Sequence, residues 1–421
     1  MSQAAASPRR PSRLPVTGIL VWPPDDTPHG SVWQVPVWLR LARQLSRQGA
    51  REILVAGPAP AAVLGRAPGA SLLRPLAADG LGAHPDDTIY LAVAANWVID
   101  DAVLANLAAR SEAAVATRGG GDGTAFAGAA RLTRSHVADL LGAGAGPAAT
   151  AWLSALPRNE GVTRVGVETL SDYRLNLRRR VPIFTREMTG PEDLRRAMAF
   201  ALDATQKGTN DLPAQYVHPP LENGLVRLLV PLGVGPNGVT AATVAVGLAA
   251  AACFAGGWLL TGILLAMVVG VLDGVDGKIA RVTVTTTRIG DYVEHASDNV
   301  YELLWYLGLG SHLAGTSGLD FYRYAAWAMC GVYLADRAAL AWWKLYRQGD
   351  FHESSAWDRQ FRRICGRRNN IVYLLLVFFL LGQPHAGFLT ALVWWALTLA
   401  IHVIRVGRAL HLGIGREVAV Q

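Results

Sequence analysis

Apolar residues follow two different patterns along this chain, and the change falls near Pro236. Before it, short apolar runs predict strands, and one amphipathic stretch, VPVWLRLARQLSRQG, predicts a helix between the first two. The strand-like runs are TGILVW, REILVAG, DTIYLAVA and AAVAT. A strand, a helix and a second strand within about 40 residues form the βαβ unit of a parallel sheet. Residues 14–185 are therefore expected to form a soluble, Rossmann-like α/β domain.

After Pro236, long apolar segments dominate, and crossing a bilayer takes about 20 such residues. The six candidate segments are 237–255, 258–275, 290–313, 320–346, 371–382 and 386–406, of which the fifth is the shortest. This pattern predicts an α-helical integral membrane domain of six transmembrane helices over residues 236–412. Residues 186–235 are expected to be a linker with an amphipathic interfacial helix. Residues 1–13 are expected to be a disordered tail, and 413–421 a second tail.

Basic residues mark alternate connections between these segments. Residues 278–288 and 344–368 are rich in Lys and Arg, whereas 310–320 and 382–387 contain none. Because basic loops stay on the cytoplasmic side, both termini, the α/β domain and the acidic residues of 273–298 are expected on the cytoplasmic face of the cell (inner or plasma) membrane. The net charge of +7 then favours an anionic lipid leaflet, and no nucleic-acid motif is present.

The three cysteines, Cys253, Cys330 and Cys365, have neither metal-ligand nor redox spacing. We expect them to be small core hydrophobes.

Regularly spaced acids stand at the edge of an apolar segment, in DGVDGKIARVTVTTTRIGDYVEHASD over residues 273–298. An ionised side chain at a bilayer centre costs about 2.5 to 3.5 kcal/mol, so such acids usually hold a positive charge. Asp273 and Asp276 are three residues apart, and Glu294 and Asp298 are four apart, so each pair shares a helix face. Two such faces form an all-oxygen cage suited to magnesium, manganese or calcium. The alternative is a structural network of buried carboxylates.

The spacing closely resembles the signature of the CDP-alcohol phosphotransferases, also called CDP-alcohol phosphatidyltransferases. These are integral-membrane enzymes that make phospholipid head groups. The matching positions are Asp273, Asp276, Gly277, Ala280, Arg281, Gly290 and Asp298. Glu294 stands where the family normally has Asp, and we expect it to remain a metal ligand.

The resemblance implies a cofactor and a mechanism. Asp273, Asp276, Glu294 and Asp298 would hold divalent magnesium or manganese on the diphosphate of a CDP-linked donor. Asp298 would be the base that deprotonates the acceptor hydroxyl. The CDP-binding positions implied are Asn237, Thr240, Gly277, Ala280 and Arg281. Pro236 and Asn237 can equally be read as the start signal of a helix.

The substrates are less constrained by the sequence. Arg368 and Arg405 are candidates for gripping an acceptor phosphate, although basic clusters also attract lipid head groups. The donor is expected to be CDP-diacylglycerol or a CDP-polyol, and the acceptor an alcohol or a polyol phosphate such as inositol phosphate. The family also implies a homodimer in the lipid bilayer.

The segment before the membrane domain is similar to that of family members joined to a nucleotidyltransferase domain. Lys207 and Asp211 match, whereas His218 replaces a usual arginine. The α/β domain resembles a sugar-nucleotide transferase fold, but WPPDDTPHGS replaces its phosphate loop and Asn96 stands where a metal-binding aspartate is expected. We therefore interpret this domain as degenerate, with a regulatory or scaffolding role. Its remaining acids, Asp25, Asp26, Asp100 and Asp101, are expected to be solvated or capping residues, and 119–123 a flexible glycine loop.

Two other functions fit parts of the sequence. A transporter would also carry intramembrane acids, but it would not need Asp-Gly and Ala-Arg at fixed spacing. A non-catalytic membrane scaffold derived from the family is compatible with Glu294 and the altered α/β domain. Metal-dependent release of CMP distinguishes the enzyme from both.

Overall fold

The chain divides into two compact units in the computed structural model, Met1–Asp172 with Val181–Asp203, and Tyr173–Arg180 with Ala204–Gln421. The structure describes residues 15–23, 30–58, 72–77, 84–119, 125–144, 147–174, 177–286, 288–347 and 350–411. Within these ranges, side chains are not described at 72, 288–295, 346–347 and 409–411.

A mixed sheet of seven strands forms the centre of the first unit. The strands of the described chain are β1 (Val16–Val21), β2 (Ser31–Val32), β3 (Val35–Pro36), β4 (Ala50–Ala56), β5 (Leu72–Pro75), β6 (Ile89–Ala94), β7 (Trp97–Ile99), β8 (Ala114–Arg118), β9 (Ala125–Leu132), β10 (Thr163–Gly166), β11 (Tyr173–Arg174), β12 (Arg179–Arg180) and β13 (Thr185–Glu187). The sheet order is β10-β8-β9-β6-β1-β4-β5. Strand β9 runs antiparallel to both its neighbours, and the other pairs are parallel.

The predicted α/β character of this unit is confirmed. The four strand-like runs correspond to β1, β4, β6 and β8, and the amphipathic stretch forms a helix at Val37–Arg47. Every residue of β6 is buried, as expected for a central strand that is covered on both faces. Strand β9 was not predicted, because its AFAGAARL sequence is dominated by alanine and glycine, which have low strand propensity.

The second unit is mainly helical. The helices of the described chain are α1 (Val37–Arg47), α2 (Asp101–Ala109), α3 (Arg134–Ala143), α4 (Pro147–Ala155), α5 (Pro191–Asp203), α6 (Leu212–Tyr216), α7 (His218–Leu229), α8 (Pro236–Ala255), α9 (Leu259–Val282), α10 (Arg288–Ser317), α11 (Phe321–Arg347), α12 (Ala356–Ile364), α13 (Arg368–Leu380) and α14 (Pro384–His411). Helices α1 to α5 belong to the first unit.

Helix α8 begins at Pro236, as its start signal predicted, because proline is well accommodated in a first turn.

Three helices in the described part of the chain are long and apolar enough to cross a membrane. They are Pro236–Ala255, Leu259–Val282 and the Pro384–Arg408 part of α14. Helix α13 is apolar but has only 13 residues, in line with its short predicted segment. Helices α10 and α11 have the length but carry more charged residues, among them Asp298, Asp336 and Arg337.

Close helix packing in the second unit depends on small residues. A Cβ added at Gly247 in α8 would lie 2.7 Å from the ring of Tyr301 in α10. The Gly247 carbonyl also accepts a hydrogen bond from the Trp305 indole at 2.7 Å. The three cysteines are buried and free, as expected for small core residues.

Gly247→Ala is expected to destabilise the second unit, because the new methyl group would overlap a fully buried ring. Overpacking of this kind typically costs about 1 to 3 kcal/mol. The thermal unfolding midpoint of the detergent-purified protein should fall, whereas Gly331→Ala should not lower it, because a Cβ there meets no atom within 4 Å. Equal midpoints for the two variants would contradict the packing described.

Candidate active site

Helix α9 carries one half of the acidic motif. The helix continues through Val282, so Asp273, Asp276 and Arg281 lie on one continuous helical segment. A Cβ at Gly277 would lie 3.1 Å from the Arg281 guanidinium. The Arg281 side chain therefore lies back over Gly277, one turn earlier, where glycine leaves room for the guanidinium.

Asp276 is buried and held by two donors. The Thr240 hydroxyl in α8 donates to Asp276 Oδ2 at 2.8 Å, and the Gly277 backbone N–H donates to Oδ1 at 2.6 Å. The predicted CDP-binding residue Thr240 thus contacts a predicted metal ligand. Asn237 is exposed in the first turn of α8, and Ala280 is half-buried.

Arg368, the first residue of α13, connects the two halves of the motif. Its guanidinium pairs with Asp273 Oδ2 at 2.7 Å and with Asp298 Oδ2 at 3.3 Å. Arg368 also donates to the Tyr301 hydroxyl at 2.6 Å, and that hydroxyl donates to Asp298. Two carboxylates from α9 and α10 therefore converge on one positive charge.

The donor set suits a hard divalent cation. Asp273, Asp276 and Asp298 offer only oxygen atoms, the ligands that magnesium and manganese prefer. Among the side chains that the structure describes, no three His, Cys, Asp or Glu residues are close enough together to hold a metal ion. The side chain of Glu294 and the surroundings of Gly290 lie outside what the structure describes.

Several cations surround this site from segments that precede α8. Burial by surrounding protein, followed by the charges of Arg281 and Arg178, lowers the pKa of Lys207 to about 8, although its side chain remains accessible to solvent. Arg178 pairs with Asp350 at 3.0 Å and donates to the Thr209 carbonyl at 3.1 Å. The charges of Arg178 and Arg281 therefore both act on the Lys207 ammonium.

Asp211 has a structural role in the described chain. It accepts the Ala214 backbone N–H at the start of α6, pairs with Arg367 at 3.3 Å and accepts the Asn369 amide at 3.1 Å. Burial opposes its charge, but these partners outweigh that effect and lower the pKa of Asp211. Asp211 thereby connects the segment before α7 to the start of α13.

Arg405 contacts different residues from those that Arg368 contacts. Its guanidinium pairs with buried Asp358 at 2.5 Å, donates to the Ser355 hydroxyl at 3.2 Å and stacks over the Trp357 ring at 5.0 Å. The two arginines that the sequence suggested for one phosphate therefore have separate partners in this structure.

Sequence reasoning did not select Tyr301. Tyr301 lies three residues after Asp298, and in sequence it looks like an ordinary core aromatic. In the structure it is indeed buried. The available signal was its helical spacing from Asp298, since residues three apart share a face.

In the first unit, Asn96 lies two residues after the end of β6, at the carboxyl edge of the sheet. Its amide donates to Glu187 Oε1 at 2.9 Å, and the Asn96 side chain is buried. Asp100 caps α2, and Asp101 pairs with Arg47 at 3.4 Å, as expected for a capping and a surface acid. Asp25, Asp26 and residues 120–124 lie outside the described residues.

Comparisons with known proteins identify one family and several similar proteins. Residues 234–402 match the family described as CDP-alcohol phosphatidyltransferase. A protein of Aquifex aeolicus called bifunctional IPC transferase and DIPP synthase is 24% identical over 245 residues, covering 55% of this chain and 55% of that protein. Its namesake in Thermococcus kodakarensis is 26% identical over 196 residues, covering 45% of this chain and 42% of that protein. The chain thus spans about half the length of the curated relatives it matches.

Solved structures of phosphatidylinositol phosphate synthase from Mycobacterium tuberculosis are also similar. One, with CDP-DAG bound, is 20% identical with a TM-score of 0.33, covering 49% of this chain and 98% of that chain. Another, in complex with manganese and citrate, is 20% identical with a TM-score of 0.32, covering 48% and 91%. TM-scores of this size do not establish structural equivalence.

Proposed function

We propose that this chain transfers a substituted phosphate from a CDP-linked donor to an alcohol and releases CMP, because residues 234–402 match the CDP-alcohol phosphatidyltransferase family. The observation that carries the proposal is the convergence of Asp273 and Asp298, from two helices, on the Arg368 guanidinium. Asp273 and Asp298 bind one positive charge between them, that of Arg368, and Asp298 is the proposed base.

In the proposed reaction, the acceptor hydroxyl oxygen attacks the β-phosphorus of the donor. The new O–P bond forms as the bond between the β-phosphorus and the oxygen of CMP breaks, and CMP leaves with that bonding pair. Asp298 takes the hydroxyl proton. Tyr301 and Arg368 both contact Asp298, so they orient its carboxylate toward the acceptor.

Asp273, Asp276, Glu294 and Asp298 would hold magnesium or manganese, which supplies charge neutralisation at the diphosphate. Thr240 fixes Asp276 through its hydroxyl hydrogen bond. Arg281, folded back over Gly277, provides a planar fork for the donor phosphates. Asn237 and Ala280 complete the proposed CDP-binding set.

The proposed acceptor is a polyol phosphate, with inositol phosphate the first compound to test. The names of the curated relatives, bifunctional IPC transferase and DIPP synthase, support this choice of substrate. Lys207 and Arg178 are proposed to join Arg368 as ligands of the acceptor phosphate. Asp273 pairs with Arg368 and also acts on the charge of Lys207, which Arg178 influences in turn. The role of Arg405 as a phosphate ligand stays a prediction, and its guanidinium would have to leave Asp358 to reach that phosphate.

The proposed membrane arrangement has six spans, with α10, α11 and α13 added to the three apolar helices. Glu302 in α10 and Asp336 in α11 are buried in the protein interior, and Asp336 contacts His402 at 2.6 Å. The active site and the first unit lie on the cytoplasmic side, and the protein forms a homodimer.

The first unit is proposed to be non-catalytic. Asn96 supplies a neutral amide where nucleotidyl transfer would need a metal-binding carboxylate, and it is already hydrogen-bonded to Glu187. A regulatory or scaffolding role fits this arrangement.

The direct test is CMP release by detergent-purified protein. The donors are CDP-diacylglycerol and CDP-inositol, and the acceptors are a panel of polyols and polyol phosphates, with manganese, magnesium or chelator. Release that requires the metal supports the transferase and identifies its substrates. No release by folded, monodisperse protein with any pair would favour the scaffold.

Acceptor binding is expected to weaken as pH rises through about 8, because Lys207 then loses its proton. A phosphate monoester keeps its full charge above about pH 7, since its second pKa is about 6. The KM for the acceptor should therefore rise between pH 7 and 9. Lys207→Met should raise that KM at pH 7 and flatten its pH dependence, whereas exposed Lys344→Met should change neither. An unchanged pH profile in Lys207→Met would exclude Lys207 from the phosphate site.

A further inference from the structure

Lys278 follows Asp276 and Gly277 in the motif, and its ammonium is buried. It pairs with Glu222 Oε2 at 2.9 Å and donates to Asn223 Oδ1 at 2.6 Å. The Lys278 and Glu222 side chains are only 3% and 6% exposed. A buried ion pair thus joins α7 to the α9 segment that carries the acidic motif.

Glycines in α9 allow α7 to approach this closely. A Cβ at Gly274 would overlap Glu222 Oε1, and a Cβ at Gly270 would lie 3.0 Å from the His218 ring. His218 and Glu222 are one helical turn apart, as are Gly270 and Gly274. Two turns of α7 therefore lie along a groove formed by two glycines of α9.

Close packing of α7 against α9 does not by itself require an ion pair. Replacing a buried ion pair by apolar residues of similar volume is often neutral or stabilising, because removing charges from water is costly. A charged pair does, however, restrict the direction of approach, since the ammonium must meet the carboxylate with hydrogen-bond geometry. This pair therefore constrains how α9 is rotated relative to α7.

Rotation of α9 matters because Asp273 and Asp276 lie on either side of Gly274. A helix with side chains has a radius of about 5 to 6 Å, so a turn of about 10° moves a carboxylate by about 1 Å. A misplacement of that size can lower a rate by about 100-fold.

We infer that Glu222 is a positioning residue, whose ion pair with Lys278 fixes the rotation of α9 and so aims Asp273 and Asp276. The inference rests on the proposed transferase function. Glu222 itself touches neither the metal ligands nor the predicted CDP-binding residues in the contacts described above.

The test replaces the pair by Glu222→Met with Lys278→Met, and separately exchanges it by Glu222→Lys with Lys278→Glu. Thermal unfolding, the dissociation constant for Mn2+ alone and the kcat for CMP release are measured for each. Mn2+ binding does not depend on turnover. The exposed pair Asp320 and Arg323 gives a matched control, as Asp320→Asn with Arg323→Gln, which should change none of these values.

The Met pair should fold with an unfolding midpoint at or above that of the wild type. Its kcat should fall, and its Mn2+ dissociation constant rise, each by about 10- to 100-fold. The exchanged pair should recover part of both losses. A Met pair with wild-type kcat and Mn2+ binding would overturn the inference, because the ion pair would then serve only packing.

If the Met pair does not fold, Glu222→Asp decides the matter. This variant keeps the charge but shortens the side chain by one methylene, so it should reduce kcat and Mn2+ binding without unfolding the protein. Full kcat and wild-type Mn2+ binding in Glu222→Asp would leave the pair a purely stabilising role and overturn the inference. Should the wild type release no CMP, the proposed function fails, whereas Mn2+ binding still tests the positioning role.

Discussion

Asp298→Asn is expected to lower the rate of CMP release by about 100- to 10,000-fold, the usual contribution of a general base. Asparagine keeps the shape of the side chain and can still accept the hydrogen bond from Tyr301. It cannot accept the proton of the acceptor hydroxyl, and it presents no charge to Arg368. The loss should therefore appear in kcat, with a smaller change in KM for the donor.

The control for this variant is Asp320→Asn. Asp320 is an exposed acid whose described partner is Arg323, three residues later, so its loss should leave kcat unchanged. Thermal unfolding of Asp298→Asn should stay close to wild type, which would assign the effect to chemistry. A kcat near that of the wild type in Asp298→Asn would remove Asp298 as the base.

Much of this site could be anticipated from spacing along the chain. Residues three or four apart share a helix face, so Asp273 and Asp276 are expected on the same face once the segment is known to be helical. Strands β1, β4, β6 and β8 were likewise evident from runs of β-branched and large apolar residues. These signals depend only on residues that are close together in the chain, so a single sequence contains them.

The partners across helices could not be predicted in the same way. Arg368 stood in a basic cluster and suggested a phosphate ligand, yet in the structure it pairs with Asp273 and Asp298. Arg405 suggested the same role, yet it pairs with Asp358. Spacing determines which face a side chain occupies, but the identity of the facing helix depends on tertiary packing.

Buried polar pairs were missed for a related reason. Glu222 and Lys278 are 56 positions apart, and each looks like an ordinary solvated residue in sequence. Only the glycines at 270 and 274 indicate a close approach, because small residues let neighbouring helices pack closely.

Asp276→Asn is expected to lower CMP release by about 1,000-fold and to weaken Mn2+ binding. A metal ion contributes several kcal/mol of charge stabilisation, and each 1.4 kcal/mol corresponds to about a tenfold change in rate. The amide removes the negative charge but can still accept the Gly277 N–H. The expected loss therefore comes from the missing charge, with the local backbone unchanged.

Thr240→Val provides a graded comparison with Asp276→Asn. It removes only the hydroxyl that donates to Asp276 and keeps the carboxylate charge. Loss of such an outer partner should cost about 10- to 100-fold in activity or metal affinity. The two variants should therefore rank in the same order for CMP release and for Mn2+ binding, with Asp276→Asn the weaker in both. If Asp276→Asn bound Mn2+ as tightly as the wild type, the buried carboxylate would serve the fold rather than the metal.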